Sequence, residues 1–533
     1  MSTITADYLN GHERSLRFFA RDPRSLLEAP PKPRVWDTSF LEGLREYQAA
    51  LGLERTIHGD EAVIITGQQP GIFTGPLYTI YKAATAIRLA RRIREKHGVP
   101  CIPVFWVGSE DHDFEEARSA HFLSKHHEPF TLTYEPKSDV NGRPLHRVPV
   151  EASLHTLVNQ AAENTTGSEF RAEVARVLHE TVDAATSLSD WVARLLAHLF
   201  QNTDLVLFSP HLEFARLAST QVLLKEISDP LVSTRLTNEA GRRLAALGYD
   251  PQLLRSDADC SFFVEVDGRR RKVSYGEGSF HVLETGLSYT VKELLALLES
   301  EPMHFSPNVA LRCVVQQHLF APEAYVAGPG EIAYWAQLKS VFEHFGYSMP
   351  VVYPRARAVL TSIKLNKLRS RAGLSYADLE QPFEALLERA LESAADSVAL
   401  TEIRARREEF NKVVEGLALA LESRDKHLSA YIPSLRERIE FELERLERAV
   451  MRADEAKVHT AKQQMTRLCS ALAPWRRPQE RVYTIFSYLF EHGWDLVNRI
   501  TGQIEFESQF AARQNVVSQS ESPRPSGLTE IEL

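Results

Sequence analysis

Three short stretches hold the residue types from which a small-molecule site is built. The first, Thr66-Gly67-Gln68-Gln69-Pro70-Gly71-Ile72-Phe73-Thr74-Gly75-Pro76, is a glycine-rich loop. Its glycines let a ligand approach the backbone closely, and a helix starting behind it offers unpaired N–H groups to a phosphate or carboxylate. The spacing is neither GxGxxG nor the P-loop pattern, which disfavours a dinucleotide site and a Walker ATPase. A purely structural turn is the competing reading. The second stretch is Ser109-Glu110-Asp111-His112-Asp113. His112 suits general acid or base work near neutral pH, and the carboxylates Glu110, Asp111 and Asp113 suit an amine or a Mg-bound phosphate. Against this stands a solvated acidic turn whose aspartates cap a helix. The third is Gly328-Pro329-Gly330-Glu331, followed by Tyr334 and Trp335. It is a second strand-to-helix turn with Glu331 in the first helical turn. If it faces the Gly67 loop across a crevice, it becomes a substrate wall. Asn308 and Arg312, one helical turn apart, reach the same crevice. Arg312 is a fork-shaped partner for a carboxylate or phosphate, and Arg355 is a weaker candidate of the same type.

Positioning these residues takes strands, turns and helices in a fixed order. AVIIT, from Ala62, is a β-branched strand, residues 67–76 are loop, and LYTIYKAATAIRLARRIREKHG has helical period. CIPVFWVG is a second buried strand that ends at Ser109. Strand, helix and strand in this order form a right-handed βαβ unit, the core of a doubly wound sheet whose ligands bind beyond the carboxyl ends of the strands. Between His121 and Pro302 the rhythm is mixed, with hairpin-like FTLTYEP and SFFVEVDGRRRKVSY. This reads as an insertion, although DLVLFSP fits the parent sheet. Core pattern resumes with SPNVALRCVVQQHLF as a helix, EAYVAGPG as strand and turn, EIAYWAQLKSVFEHFG as a helix and MPVVYPR as a strand. Beyond Gly373, Ile403, Phe410, Val414, Leu417, Leu421 and Leu428 fall on steps of seven, four and three. Ile439, Leu443, Leu446 and Val450 do the same beyond Pro433. Two readings stand side by side, a helical hairpin within the chain and a coiled coil between chains. The domain plan is 1–120 for the N-terminal helices and first half of the core, 121–302 for the insertion, 303–373 for the second half, 374–512 for the helical domain, and 513–533 for a Ser/Pro-rich disordered tail.

Composition bounds the partners. Lys+Arg 62 against Asp+Glu 71 leaves a net charge of −9, which argues against a ligand held mainly through nucleic-acid phosphates. Cys101, Cys260, Cys313 and Cys469 lie far apart and form no CxxC or Cys/His pair, so free thiols in a reducing cytosol are expected and a metal site is not. The opening residues do not form a signal peptide, and no stretch reaches the roughly 20 apolar residues of a bilayer crossing. A cytoplasmic protein with no membrane partner is expected.

Taken together and in this order, ITGQQPGIFTGPLYTIYKA, PVFWVGSEDHDFEE, FSPNVALR and YVAGPGEIAYW closely resemble the bacillithiol biosynthesis cysteine-adding enzymes, the BshC family of cysteine ligases. The resemblance extends over most of the chain, including the Glu/Arg-rich helices and PQERVYTIFSYLFEHG. It implies an α/β fold with a Rossmann-like parallel sheet core related to class I aminoacyl-tRNA synthetases, connecting-peptide insertions, and an α-helical coiled-coil domain that joins a homodimer. The implied reaction is the last step of bacillithiol synthesis, joining L-cysteine through its carboxyl group to the amine of glucosaminyl-malate. A carboxylate is a poor electrophile, so ATP, with Mg, is the implied source of an adenylate or acyl phosphate. In this picture His112 is the acid/base, and Glu110, Asp111 and Asp113 position the amine or Mg-ATP. Thr66, Gly67, Gln68, Gln69, Gly71, Thr74, Gly75, Gly328 and Gly330 border the nucleotide. Asn308, Arg312, Glu331, Tyr334, Trp335 and Arg355 border the substrate.

Departures from the synthetase pattern are visible. Gly67-Gln68-Gln69-Pro70-Gly71 stands where such enzymes carry a HIGH-type signature, and Lys364-Leu365-Asn366-Lys367 matches a KMSKS loop poorly. Two other readings are a class I synthetase-like enzyme acting on tRNA, which the acidic balance counts against, and a non-catalytic nucleotide-binding coiled-coil scaffold. Cysteinyl-tRNA synthetases and the related mycothiol ligase read the substrate thiol with zinc held by Cys and His. The isolated cysteines here imply a thiol pocket without metal. Elemental analysis of the purified protein is therefore expected to find zinc well below one ion per chain, and a stoichiometric content would overturn the metal-free pocket.

Overall fold

Continuous apolar runs set the centre of the molecule. Val63, Ile64 and Ile65 in one run and Val104, Phe105 and Trp106 in another are buried, as strands covered on both faces must be. In the computed structural model, whose described residues are 3–32, 34–392, 398–422, 427, 430–505, 510 and 528–533, these runs are β1 (Ala62–Gln68) and β2 (Cys101–Val107). With β3 (Val206–Phe208), β4 (Ala324–Ala327) and β5 (Val351–Pro354) they form one sheet. Its order is β5-β4-β1-β2-β3, every neighbouring pair parallel. The chain winds outward from β1 on one side and later returns to the other, so the order reverses between β1 and β4. In a Rossmann-like sheet this is where a ligand crevice opens, beyond the carboxyl ends of the strands.

The crossover from β1 to β2 is α1 (Tyr78–His97), which packs Ile80, Ala83, Ala84 and Ile87 into the core and ends at Gly98, φ 66°. A left-handed cap of this kind is a glycine position. DLVLFSP supplies β3, as its pattern predicts. β1 runs two residues further than AVIIT, because Gly67 and Gln68 still pair with Trp106 and Val107. A Cβ at Gly67 would lie 2.7 Å from the Trp106 carbonyl oxygen, so the close approach of β1 to β2 requires glycine there.

Two other boundaries shift. SPNVALRCVVQQHLF does not start as a helix. Phe305–Pro307 is a strand antiparallel to Asp259–Val266, and α2 (Val309–Phe320) begins only after Asn308 caps it. The insertion's sheet, which continues through Arg269–Gly276, Ser279–Val282 and Leu287–Thr290, thus reaches past residue 302. EIAYWAQLKSVFEHFG is two helices, α3 (Pro329–Trp335) and a separate one over Lys339–His344.

The tail departs most from expectation. Leu528–Glu532 is a strand that pairs in parallel with Arg357–Thr361, with Ile531 fully buried. The expectation of disorder over 513–533 is corrected for these residues, and 511–527 lie outside the described residues. A composition rich in Ser and Pro masks a short segment in which Thr529 and Ile531 are buried while Glu530 and Glu532 are exposed, which is strand periodicity.

The chain divides into two units, Met1–Thr361 with Gln479–Leu533, and Ser362–Pro478. In the second, the helices Val398–Glu422 and Tyr431–Leu472 pair with each other. Arg407 meets Glu440 at 2.8 Å and Glu447 at 3.5 Å, and Arg436 meets Glu415 at 3.5 Å. Val414 is buried by this pairing, and Pro433 falls in the first turn, where a missing N–H costs no helical bond. The hairpin within the chain is formed. Leu428 lies outside the described residues. No described helix is long and apolar enough to cross a membrane.

Candidate active site

β1 and β4 end side by side, and the turns that leave them face each other across a cavity of about 430 Å³. Gly67, Gln68 and Gln69 from the β1 turn, with Glu110 and Asp111 from the β2 turn, line one part of it. Gly328, Gly330, Glu331 and Tyr334 from the β4 turn and α3, with Asn308 and Arg312 at the start of α2, line another. Parts of the three stretches selected by residue type therefore meet in one place, while His112 and Asp113 lie outside the lining. Tyr78 and Lys82 of α1, Trp106, Tyr325, Arg270 from the insertion's sheet, Arg355 after β5, and Arg481 complete the lining.

Lys82 is buried one helical turn after Tyr78. Its Nζ donates to the Gly67 carbonyl at 2.7 Å and to Gln68 Oε1 at 3.0 Å, and meets Glu331 Oε2 at 2.5 Å. These contacts use all three ammonium protons. Glu331 also accepts the Gly328 N–H at 2.7 Å and the Tyr325 hydroxyl at 2.5 Å. Burial pushes the Glu331 carboxyl up, but the Lys82 charge and these hydrogen bonds outweigh it and hold the group below the usual carboxylate range. Burial lowers the Lys82 pKa and the Glu331 charge acts against that, and the pair ties the end of β1 to the β4 turn.

The arginines differ in what they have free. Arg355 is buried and donates twice to Glu480, at 2.7 and 3.0 Å. Burial raises the Glu480 carboxyl, and the Arg355 charge more than reverses that. Arg270 donates to Ser306 Oγ at 2.8 Å and to the Pro307 carbonyl at 2.5 Å, and lies 3.9 Å over the Phe263 ring. Burial brings its pKa down to about 10, which leaves it cationic at neutral pH. Arg312 donates to the Tyr334 hydroxyl at 2.9 Å. Neither Arg312 nor Arg481 forms an ion pair among the described residues.

The β2 turn splits its acids among several tasks. Glu110 is buried against Arg216 at 2.7 Å. Asp111 accepts a hydrogen bond from the Gln69 side chain, which joins the β1 and β2 turns. Asp113 caps the short helix Phe114–Ala117 through the Glu116 N–H at 3.1 Å. His112 Nδ1 lies 3.4 Å from Arg270, with its ring edge-on to Phe263. Burial, then the Arg270 charge, lowers its pKa, so the imidazole is neutral at neutral pH.

Several residues selected by sequence stand behind the lining. Thr66 donates to the Val326 carbonyl at 2.9 Å and stitches β1 to β4. Trp335 packs between Tyr325 and Phe342, and Asn308, although in the lining, spends its side-chain oxygen on the Ala310 and Leu311 N–H groups. Gly71, Thr74 and Gly75 are buried. Phe73 and Thr74 have φ of 52° and 65°, a left-handed conformation uncommon for such residues. Phe73 is held by Phe122, Trp191 and Phe486, and its carbonyl accepts the Thr484 hydroxyl at 2.6 Å. At the start of α1 the Leu77 N–H donates to the Tyr483 carbonyl and the Thr79 N–H to the Pro76 carbonyl. These amides are not offered to a ligand, and the positive charge at the cavity comes from side chains instead.

Sequence reading missed Tyr78, Lys82, Arg270, Glu480 and Arg481. Lys82 had one local signal, a lone cation in the otherwise uncharged run YTIYKAATAI. Among the described residues, no group of three or more His, Cys, Asp or Glu side chains is placed to hold a metal ion. An unpaired guanidinium on one wall and a carboxylate on another can hold a molecule that carries both a carboxylate and an amine.

Residues 2–356 match the family model described as Bacillithiol biosynthesis BshC, N-terminal Rossmann-like domain, and residues 358–517 match the C-terminal coiled-coil domain of the same family. Among curated relatives, a protein of Salinibacter ruber is 33% identical over 434 residues, 81% of this chain and 78% of that protein. One of Symbiobacterium thermophilum is 32% identical over 503 residues, 88% of each chain. One of Desulforamulus reducens is 28% identical over 523 residues, 93% of this chain and 95% of that protein. Each is named "Putative cysteine ligase BshC".

Lys82→Met leaves the Glu331 carboxylate buried without its cation and is expected to cost about 3 kcal/mol of stability in urea titration. Adding Glu331→Gln should return part of that loss. A double variant as unstable as the sum of the two single variants would show that the pair is not coupled.

Proposed function

The chain belongs to the bacillithiol biosynthesis BshC family, and from that premise we propose that it is a cysteine ligase joining the carboxyl group of L-cysteine to the amine of glucosaminyl-malate. One observation carries the reading to this cavity. At the point where the strand order reverses, Arg312 presents a guanidinium with no carboxylate partner among the described residues, and Asp111 presents a carboxylate from the turn after β2. Arg312 takes a substrate carboxylate in its fork, and the Tyr334 hydroxyl fixes the plane of that fork. Asp111, steadied by Gln69, orients the amine. His112, neutral at neutral pH and adjacent in the chain, takes up the proton that the amine loses as the amide forms.

Amide formation from a free carboxylate implies ATP, which when bound supplies the phosphoryl or adenylyl group that makes the cysteine carbonyl open to attack. The donor set fits an anion of this kind. Arg312 and Arg481 carry charge that no ion pair among the described residues neutralises, and a Cβ at Gly330 would meet only open space, which leaves the backbone approachable. Asp111, the carboxylate of the β2 turn that lines the cavity without an ion pair among the described residues, would hold either the amine or an accompanying Mg ion. A net charge of −9 suits small substrates in the cytoplasm better than nucleic acid.

The helical unit leaves Leu417, Leu419, Phe441 and Leu446 exposed. We read these exposed apolar side chains as part of the surface through which two copies form a homodimer. Light scattering is expected to give twice the chain mass, and Phe441→Glu is expected to shift it toward the monomer. A monomeric parent chain would remove the dimer from the reading.

The reaction is tested by incubating the purified chain with cysteine, glucosaminyl-malate and ATP. The amide product is expected, with AMP and pyrophosphate if the carboxylate is adenylated and ADP if it is phosphorylated. Arg312→Lys, which keeps the charge but loses the fork, should lower kcat/KM at least about tenfold, the cost of one bidentate contact. No amide under any of these conditions would overturn the assignment.

A further inference from the structure

The segment leaving β5 places Arg355 in the cavity wall and then continues as the strand Arg357–Thr361. Both edges of that strand are occupied. On one edge the Gln479 side chain exchanges two hydrogen bonds with Leu360, each 2.8 Å. Glu480, the partner of Arg355, accepts the Ala358 N–H at 3.3 Å. On the other edge lies Leu528–Glu532, in parallel register from Arg357↔Leu528 to Thr361↔Glu532, and the Leu533 N–H donates to the Thr361 carbonyl at 2.8 Å. Ile531 joins the main hydrophobic core. Thr529 Oγ1 accepts the Glu505 N–H at 3.1 Å, and the Glu532 carbonyl accepts Arg499 at 2.8 Å. The family match ends at residue 517, so this strand lies beyond it.

We propose that residues 528–533 form a separable positioning strand, docked by β-strand addition on the edge of Arg357–Thr361, that holds the Arg355–Glu480 pair and with it one wall of the cavity. The receptor edge fits an extended peptide with Thr and Ile pointing inward at alternate positions and Glu pointing outward, the usual division between main-chain affinity and side-chain specificity in this mode. The strand supplies one rim of hydrogen bonds and one core side chain. Its loss uncovers Arg357–Thr361 without removing a strand of the central sheet. Ala358 links the docked strand to the site, because its N–H bonds to the same carboxylate that holds Arg355. Ala356 is held similarly, its N–H donating to Thr85 Oγ1 of α1 at 3.0 Å.

The test is amide hydrogen exchange read by mass spectrometry on a chain ending at residue 527, and it does not depend on which reaction the cavity performs. The amides of Arg357, Val359 and Thr361, which alternate with those bonded to Glu480 and Gln479 and so face the docked strand, are expected to exchange at least about tenfold faster than in the full chain, with a rise also at Ala356 and Ala358. A synthetic peptide of sequence LTEIEL added in trans should restore protection saturably, and a scrambled peptide should not. Unchanged exchange overturns the proposal. So does a rise confined to the ladder amides, which would make the strand a local patch with no hold on Arg355, or a loss that the peptide fails to reverse. If the shortened chain does not fold, Ile531→Asp in the full chain serves in its place. The same loss at Ala356 and Ala358 supports the proposal, and native protection there sinks it.

Discussion

The ion pair between Lys82 and Glu331 is the contact on which the cavity depends. Topology alone opens a crevice where the strand order reverses between β1 and β4, but it does not set how the two lips of that crevice are held. Lys82 does so by bonding the last residues of β1 and the carboxylate of the β4 turn at once. Burying two charges is costly, and the cost is offset only where the remaining polar atoms are satisfied. The Gly328 N–H and the Tyr325 hydroxyl do that for Glu331. A second consequence concerns Arg312, which lies close enough for Glu331 to influence its ionisation. Because Glu331 is committed to Lys82, Arg312 keeps a fork without a carboxylate.

Three buried or nearly buried ion pairs surround this cavity, and each joins segments remote in sequence: Lys82 with Glu331, Arg355 with Glu480, and Glu110 with Arg216. Such pairs are weak evidence for stability, since apolar replacements of similar volume often do as well. Their value here is positional. Each fixes one lining segment against another, so the groups left without an ion pair among the described residues, Arg270, Arg312, Arg481 and Asp111, are held by a frame whose own charges are paired. Glu110 illustrates the point. It lines the cavity beside Asp111, yet its carboxylate is engaged with a buried arginine, so the two neighbouring acids have different parts to play.

Much of this was legible in the sequence, and what was not follows a physical pattern. The β1 loop, the Glu110–Asp113 turn and the Gly328 turn could be read because each is a local signal at the end of an apolar run, and doubly wound sheets bring such ends together. Lys82 and Glu480 could not, because their meaning lies in a partner more than a hundred positions away. Arg270 reaches His112 over 158 positions from a different sheet. At Leu77 and Thr79 the amides expected to be free at the start of α1 are engaged, for a similar reason. Whether an N–H is free depends on what packs against it, and Tyr483, far along the chain, takes the first one. The strand at Leu528–Glu532 was hidden by composition, which averages over a stretch too short for its alternation to register.

The overall charge and the cavity charge point in opposite directions, and their difference in range gives this meaning. A chain with a net charge of −9 does not draw anions from a distance, and at physiological ionic strength a field fades over about 8 Å in any case. Free guanidinium groups inside a concave, partly desolvated site act over contact distances, where the interaction is much stronger. An anion small enough to lie wholly within the crevice therefore meets the guanidinium groups of Arg270, Arg312 and Arg481 at contact distance. A polyanion such as RNA must spread its phosphates over the outer surface, where acids outnumber bases across the chain. Selection between these two classes of partner follows from the size of the cavity as much as from the residues that line it.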